Sequence, residues 1–287
     1  MTIKNPVEWS GAQLVGAAHA IGSVRRSLHH IQDTVHSPAP AVRKIGAADI
    51  ADAIARGFDD FRAYRSDVLF VGVIYAAVGL VLARLAFGLD MLPLVFPLAS
   101  GFAIIGPFAA IGLYAMSRLR EHGAEVSWAN ALDVLRAPAS GAILVLGLVL
   151  VAIFLLWLLA AWEIYDHTLG PQVPTSVGAF AHAVLMTAAG WTMIVLGIGV
   201  GFLFALIAMT VSIVSFPLLV DRDVGLDTAV ATSVRAVWAN PLPMALWGLV
   251  VAGALVLGSI PLFIGLVVVV PVLGHATWHL YRKLVAA

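Results

Sequence analysis

From Leu94 to Ser117 the chain reads LVFPLASGFAIIGPFAAIGLYAMS without a single charged residue, and it then meets Arg118, Arg120 and Glu121. A helix of about 20 apolar residues crosses the hydrocarbon core of a bilayer, and an uncharged run of this length has that core as its natural solvent. The stretch also holds Pro97, Gly101, Gly106 and Pro107, so it reads as a span with built-in irregularity.

The rest of the chain agrees with a membrane protein. It is 61% hydrophobic and only 11% charged, with a mean hydropathy of +1.00. A soluble domain of 287 residues needs far more charge to cover its surface. A net charge of +0 gives no reason to expect nucleic acid or another strongly charged partner. With 0 cysteines, disulfides, thiolate metal sites and redox thiols are excluded. The first long apolar run begins near Val68, too far in to read as a cleaved leader.

Residues 1–45 form a tail of different character. From Ser10, apolar residues fall at Leu14, Ala17, Ile21, Val24, Leu28, Ile31 and Val35, which places them on one helical face. Ser10 with Gln13 makes a capping box, and Ser37-Pro38-Ala39-Pro40 ends the run. Arg25, Arg26, His29 and His30 lie on the polar side. This pattern suits a helix lying on an anionic membrane face or packed on the protein's own base, with a short coiled coil as the alternative. A second amphipathic helix is expected from Ala47 to Arg62. Ile50, Ile54, Phe58 and Phe61 share one face, with Asp49, Asp52, Arg56 and Asp59 outward and an Asp52–Arg56 pair one turn apart. It is expected to serve as a platform at the cytoplasmic interface.

From residue 46 to the end, hydropathy predicts an all-α bundle of six transmembrane helices, near 68–88, 93–117, 139–162, 190–216, 243–259 and 262–282. The last two are separated only by Gly258-Ser259-Ile260-Pro261, so a single kinked helix is the alternative there. All but Arg84 of the 16 Lys and Arg residues then fall on one side, and the outer loop 163–189 has none. This positive-inside pattern puts both the N- and C-termini in the cytoplasm. A faint repeat pairs Trp128-Ala-Asn-Ala-Leu132 with Trp238-Ala-Asn-Pro-Leu242, and Pro107 with Pro217. It suggests three units, each an interfacial helix followed by a helical hairpin.

Polar groups inside hydrocarbon are the first place to look for function, because burying them costs free energy. Arg84 lies near the outer end of the first span, where its stem reaches the headgroups. Asp221, Arg222 and Asp223 read as a solvated boundary with local ion pairs. Glu163, Asp166, His167 and His182 read as a wetted outer loop that can also meet a cation. The sharpest pair is His275 and His279 in PVLGHATWHLYRKLV, one helical turn apart on one face. They are weak metal candidates, since a zinc site needs three or four ligands and no Glu follows His275 as in HExxH. The competing expectation is that His275 hydrogen-bonds a neighbouring helix. His279 then joins Trp278, Tyr281, Arg282 and Lys283 in an aromatic and basic belt. Gly101, Gly106, Gly112, Gly197 and Gly201 are helix-packing candidates, and Pro107 and Pro271 are hinge candidates. No residue reads as catalytic.

The segments PLASGFAIIGPFAAIGLYAMSRLREHG, SFPLLVDRDVGLDTAVATSVRAVWANP and PVLGHATWHLYR resemble the bacterial integral-membrane family named domain of unknown function 2189. The resemblance spans roughly residues 45–285 and implies a multi-pass protein of the bacterial inner membrane. Some relatives carry the label of cytochrome c oxidase subunit. A haem–copper core needs histidines on several spans, however, and here only His275 lies well inside one. The leading expectation is a non-catalytic accessory or assembly protein acting through helix contacts, with no cofactor. A transporter or channel for a small solute is the first alternative. A haem- or metal-binding respiratory subunit using His275 and His279 is the second. Expected partners are the bilayer, other membrane subunits or a second copy.

Overall fold

The computed structural model describes residues 34, 37–64, 92–124, 126, 133–170, 175–261 and 264–286. Among these the regular structure is helical, apart from a single antiparallel bridge between Val42 and Val285. The expected N-terminal helix and the expected first span with Arg84 lie outside the described residues.

Among the described residues, four helical segments are long and apolar enough to cross a membrane. The first is α2 (Val95–Ala109) with the 3-10 turn Leu92–Leu94 ahead of it, and the second is α4 (Ser140–Thr168). The third joins α6 (Ala188–Ser212) to α7 (Ser215–Asp221), and the fourth is α9 (Pro241–Ser259). The chain is thus an integral membrane protein with several apolar helices. The last helix, α10 (Leu266–Leu284), is 19 residues long. Its second half carries His275, His279, Arg282 and Lys283, so its apolar character covers only its first turns. Residues 243–282 are two helices and not one kinked helix. A Cβ built on Gly265 would lie 2.8 Å from the Gly258 Cα, so the chain doubles back where two glycines let it.

Two spans are broken near the same end. α2 stops at Ala110, three residues after Pro107, and α3 (Ile111–Glu121) resumes. α6 stops at Ser212 and α7 begins at Ser215. The amphipathic helix α8 (Leu226–Ala239) props this break: Ser233 Oγ accepts from Val214 N–H at 3.2 Å and donates to the Thr210 carbonyl at 2.8 Å. Backbone groups freed by a break inside a membrane protein must be satisfied this way. Pro217, in contrast, sits after its break, inside the first turn of α7.

The expected outer loop 163–189 is mostly helical. α4 runs on to Thr168, and α5 (Val177–Met186) follows with Ser176 accepting from Ala179 N–H as its cap. Glu163, Asp166 and His167 therefore stand on a helical extension, and His182 stands on α5. Glu163, His167 and His182 are exposed, as a wetted segment requires, but they stand on helices and not on a loop.

At the opposite end, α1 (Ala47–Ala63) matches the expected amphipathic helix almost residue for residue. The face it buries is different. Ile50, Ala53, Gly57, Asp60 and Phe61 are inside, while Phe58 is 37% exposed. The cause is α10, which approaches so closely that a Cβ on Gly57 would lie 2.6 Å from the Ala276 backbone nitrogen. Only small side chains fit that seam. Residues 37–46 then strap this end together. Arg43 N–H donates to the Leu284 carbonyl at 2.8 Å and Ala286 N–H to the Ala41 carbonyl at 3.0 Å. The buried Asn240 side chain accepts from Ile45 N–H at 2.8 Å and donates to the Arg43 carbonyl at 3.0 Å.

Candidate functional site

The strap, α1, the end of α3 and the end of α10 gather the charged residues at one end of the bundle. The hub is Asp60 on α1, which is 4% exposed. Ser117 Oγ donates to its Oδ2 at 2.6 Å, His279 Nε2 lies 2.8 Å from the same oxygen, and Arg120 pairs with Oδ1. His275, fully buried, places Nδ1 2.8 Å from Ser117 Oγ and 3.8 Å from Asp60 Oδ2.

These contacts assign the protons. A carboxylate only accepts, so the one Ser117 hydrogen goes to Asp60, and Ser117 in turn accepts from His275 Nδ1–H. Neutral His275 is then left with a bare Nε2, and that atom has no hydrogen-bond partner. Burial by itself pushes the Asp60 carboxyl up. The hydrogen bonds from His279 and Ser117 outweigh it and hold the carboxyl below its ordinary value.

A second set of ties surrounds the hub. Glu121 accepts from Arg282 Nε at 3.0 Å and from Trp278 Nε1 at 3.1 Å. Asp221 accepts from the Tyr281 hydroxyl at 2.7 Å and from Arg282 at 3.3 Å, with Arg222 at 3.5 Å and Arg118 at 3.9 Å. Lys283 bridges Asp52 at 2.9 Å and Asp49 at 3.3 Å. Hydrogen bonding to Asp52 raises the Lys283 amine above its ordinary value. A polar cavity of about 480 Å³ opens beside the hub, lined among others by Arg56, Asp60, Ser117, Arg120, His279 and Arg282. Its cations already face anions, so the cavity is charged at its rim and nearly neutral in sum.

Several sequence expectations are placed by this geometry. His275 and His279 do share a face, and both are drawn to Asp60. Among the described residues no three His, Asp or Glu side chains are grouped to hold a metal ion. Asp221 is not a solvated boundary. Its side chain is 10% exposed, and it binds Tyr281 and Arg282 across the base. Gly101 and Gly201 are close-approach positions: a Cβ would meet the Phe154 ring at 2.7 Å and the Trp157 ring at 3.1 Å, both on α4. Gly106 and Gly197 are not, since nothing lies within 4 Å of a Cβ built on either. Both face open space instead, Gly106 a cavity in the bundle and Gly197 an apolar hollow at the outer end. Pro107 precedes a true helix break. Pro271 lies buried inside α10, which runs unbroken through it.

Asp60 and Ser117 escaped the sequence reading, and Arg120, Glu121 and Tyr281 entered it only as boundary charge and interfacial belt. One signal was present: Asp60 continues the spacing of Ile50, Ala53 and Gly57, an acid on a small-residue seam.

A helical bundle with apolar spans and one charged end defines the class, an integral membrane protein. A family model described as a predicted integral membrane protein, domain of unknown function 2189, matches residues 95–221. The match runs from the start of α2 to the end of α7. It takes in Ser117, Arg120, Glu121 and Asp221, while Asp60, His275 and His279 lie beyond it. No curated protein and no solved structure matches the chain.

Proposed function

We propose that this chain is a non-catalytic accessory or assembly component of a membrane complex, acting through helix contacts inside the bilayer. The observation that carries this reading is the outward face of α6. Val195, Gly199, Phe202 and Leu206 follow one another at helical spacing, all exposed, and a Cβ on Gly199 would meet nothing within 4 Å. Only 6% of the most apolar window of the α6–α7 segment is buried, against 33% for α4. Lipid covers exposed leucine and phenylalanine well. A glycine at the same depth adds no contact and costs about 1 kcal/mol in helix propensity. Small residues on a membrane helix allow a second helix to come close.

In this reading the chain crosses a bacterial inner membrane six times as three hairpin units, with both termini in the cytoplasm. The lysine and arginine distribution supports that orientation. The backbone bonds that join residues 41–43 to residues 284–286 support it further, by keeping the two ends of the chain on one side. The amphipathic α8 ahead of the α9–α10 hairpin fits the proposed unit.

The test is purification in lipid nanodiscs with native mass spectrometry and an absorption spectrum. A stoichiometric membrane partner, or a second copy, that is lost on Gly199→Leu while the protein stays folded supports the reading. A colourless monomer in both forms overturns it. Transport of a small solute is the second reading, favoured by the cavity beside the α2 break at Ala110. Solute flux by the chain alone in proteoliposomes would move the assignment there.

A further inference from the structure

A partly open cavity of about 170 Å³ lies between α2, α3, α6, α9 and α10. Gly106, Pro107, Ser212, Trp247 and Leu255 are among its walls. Two independent features mark it as a site and not a packing flaw. The first is Ser212, which is 1% exposed and whose hydroxyl makes no hydrogen bond. The hydroxyl of Thr277, also on the wall, donates to the Leu273 carbonyl at 2.7 Å. A buried hydroxyl normally finds a partner, and a helical serine has its own helix carbonyls within reach.

The second feature is access. On the outer surface an apolar groove of about 740 Å³ runs between α6 and α9, with the exposed Trp238 at one end. Ala205, Met209, Gly248 and Ala252 line this groove and the inner cavity alike. The wall between them is therefore three small residues and one methionine, whose unbranched chain readily changes shape.

We propose that the cavity is a binding site for a small neutral molecule of about one-ring size carrying a single oxygen. Such a molecule enters from the bilayer between α6 and α9 and hydrogen-bonds Ser212. The size is right: a dry apolar cavity of about 150 Å³ takes up benzene. A charged ligand is excluded, because no counter-charge lines the cavity and burying an unpaired ion is prohibitive. The entry groove shares Phe202 and Leu206 with the outward α6 face, while the cavity itself does not, so Ser212→Ala tests this inference and Gly199→Leu the accessory reading.

The test uses fluorine NMR of 4-fluorophenol and fluorobenzene with the full chain in nanodiscs, against empty nanodiscs of the same lipid. Wild type is expected to bind 4-fluorophenol saturably and more tightly than fluorobenzene. Ser212→Ala should weaken 4-fluorophenol about fivefold, the effect of one neutral hydrogen bond, and leave fluorobenzene unchanged. Gly106→Leu should fill the cavity and weaken both at least tenfold. Gly248→Leu gives the same reading if Gly106→Leu does not fold, because its Cβ meets Met209 only at 3.7 Å. Three results would overturn the proposal: no saturable binding above empty nanodiscs, equal affinity for the two probes in wild type, or binding unchanged by the filling variants.

Discussion

The charged end and the mid-bundle seam handle buried polar atoms in opposite ways. Around Asp60, side chains from α1, α3 and α10 converge so that one carboxylate meets a serine, a histidine and an arginine. On α6, Ser212 faces a cavity and meets none. The difference teaches what each region is built to do. Several donors on one buried carboxylate hold their elements in one arrangement, even though His275 Nε2 at the edge of the network has no partner. A lone hydroxyl beside empty space leaves a place for something else.

Five measurements break or sharpen that contrast. Asp60→Ala has the largest expected effect, because it leaves Arg120, His279 and Ser117 without their shared acceptor. Thermal unfolding in detergent should show a loss of about 3 kcal/mol, as when one partner of a buried pair is removed. A loss near zero would mean the hub is ornamental. Next comes Gly57→Ala, whose new methyl runs into Ala276 backbone and not into a movable side chain. It should cost about 2 kcal/mol by forcing α1 off α10.

Third, Gly101→Leu and Gly106→Leu should differ in sign. The first drives into Phe154 and should destabilise by about 1–3 kcal/mol. The second enters open space and should be neutral or stabilising by roughly 1 kcal/mol. Equal losses at the two glycines would contradict the cavity. The fourth is a pH series. The Asp60 carboxyl is depressed in the folded protein, so its contribution is full above the ordinary value of 3.8 and disappears as pH falls through the folded value. The melting-temperature gap between wild type and Asp60→Asn should therefore be constant near neutrality and close below about pH 4. The smallest effect belongs to Lys283→Ala. Its ion pairs with Asp49 and Asp52 are partly exposed, and loss should stay under about 1 kcal/mol.

These residues also show how far the sequence can be read. The bounds of α1 were legible from periodicity, yet its buried face was not, since Phe58 is the better hydrophobe and Gly57 is the residue inside. Which face is buried depends on how near α10 comes, and that distance is a property of two elements together. His275 and His279 were legible as a pair one turn apart. The acid that binds them was not, because His279 and Asp60 are separated by 219 positions. Gly106 and Gly101 look alike in the sequence, five residues apart in one apolar run. Only the neighbours, a ring at one and a void at the other, tell them apart.

By itself the sequence determined that this chain is a helical membrane protein and where four of its apolar helices run. Hydrocarbon selects for length and lack of charge, and both are local properties of a single stretch. The tertiary structure alone decided that Asp60 is the hub of the charged end, that Asp221 is tied in and not solvated, and that Ser212 faces a cavity. Each is a statement about which distant side chains meet, and no local pattern carries that information.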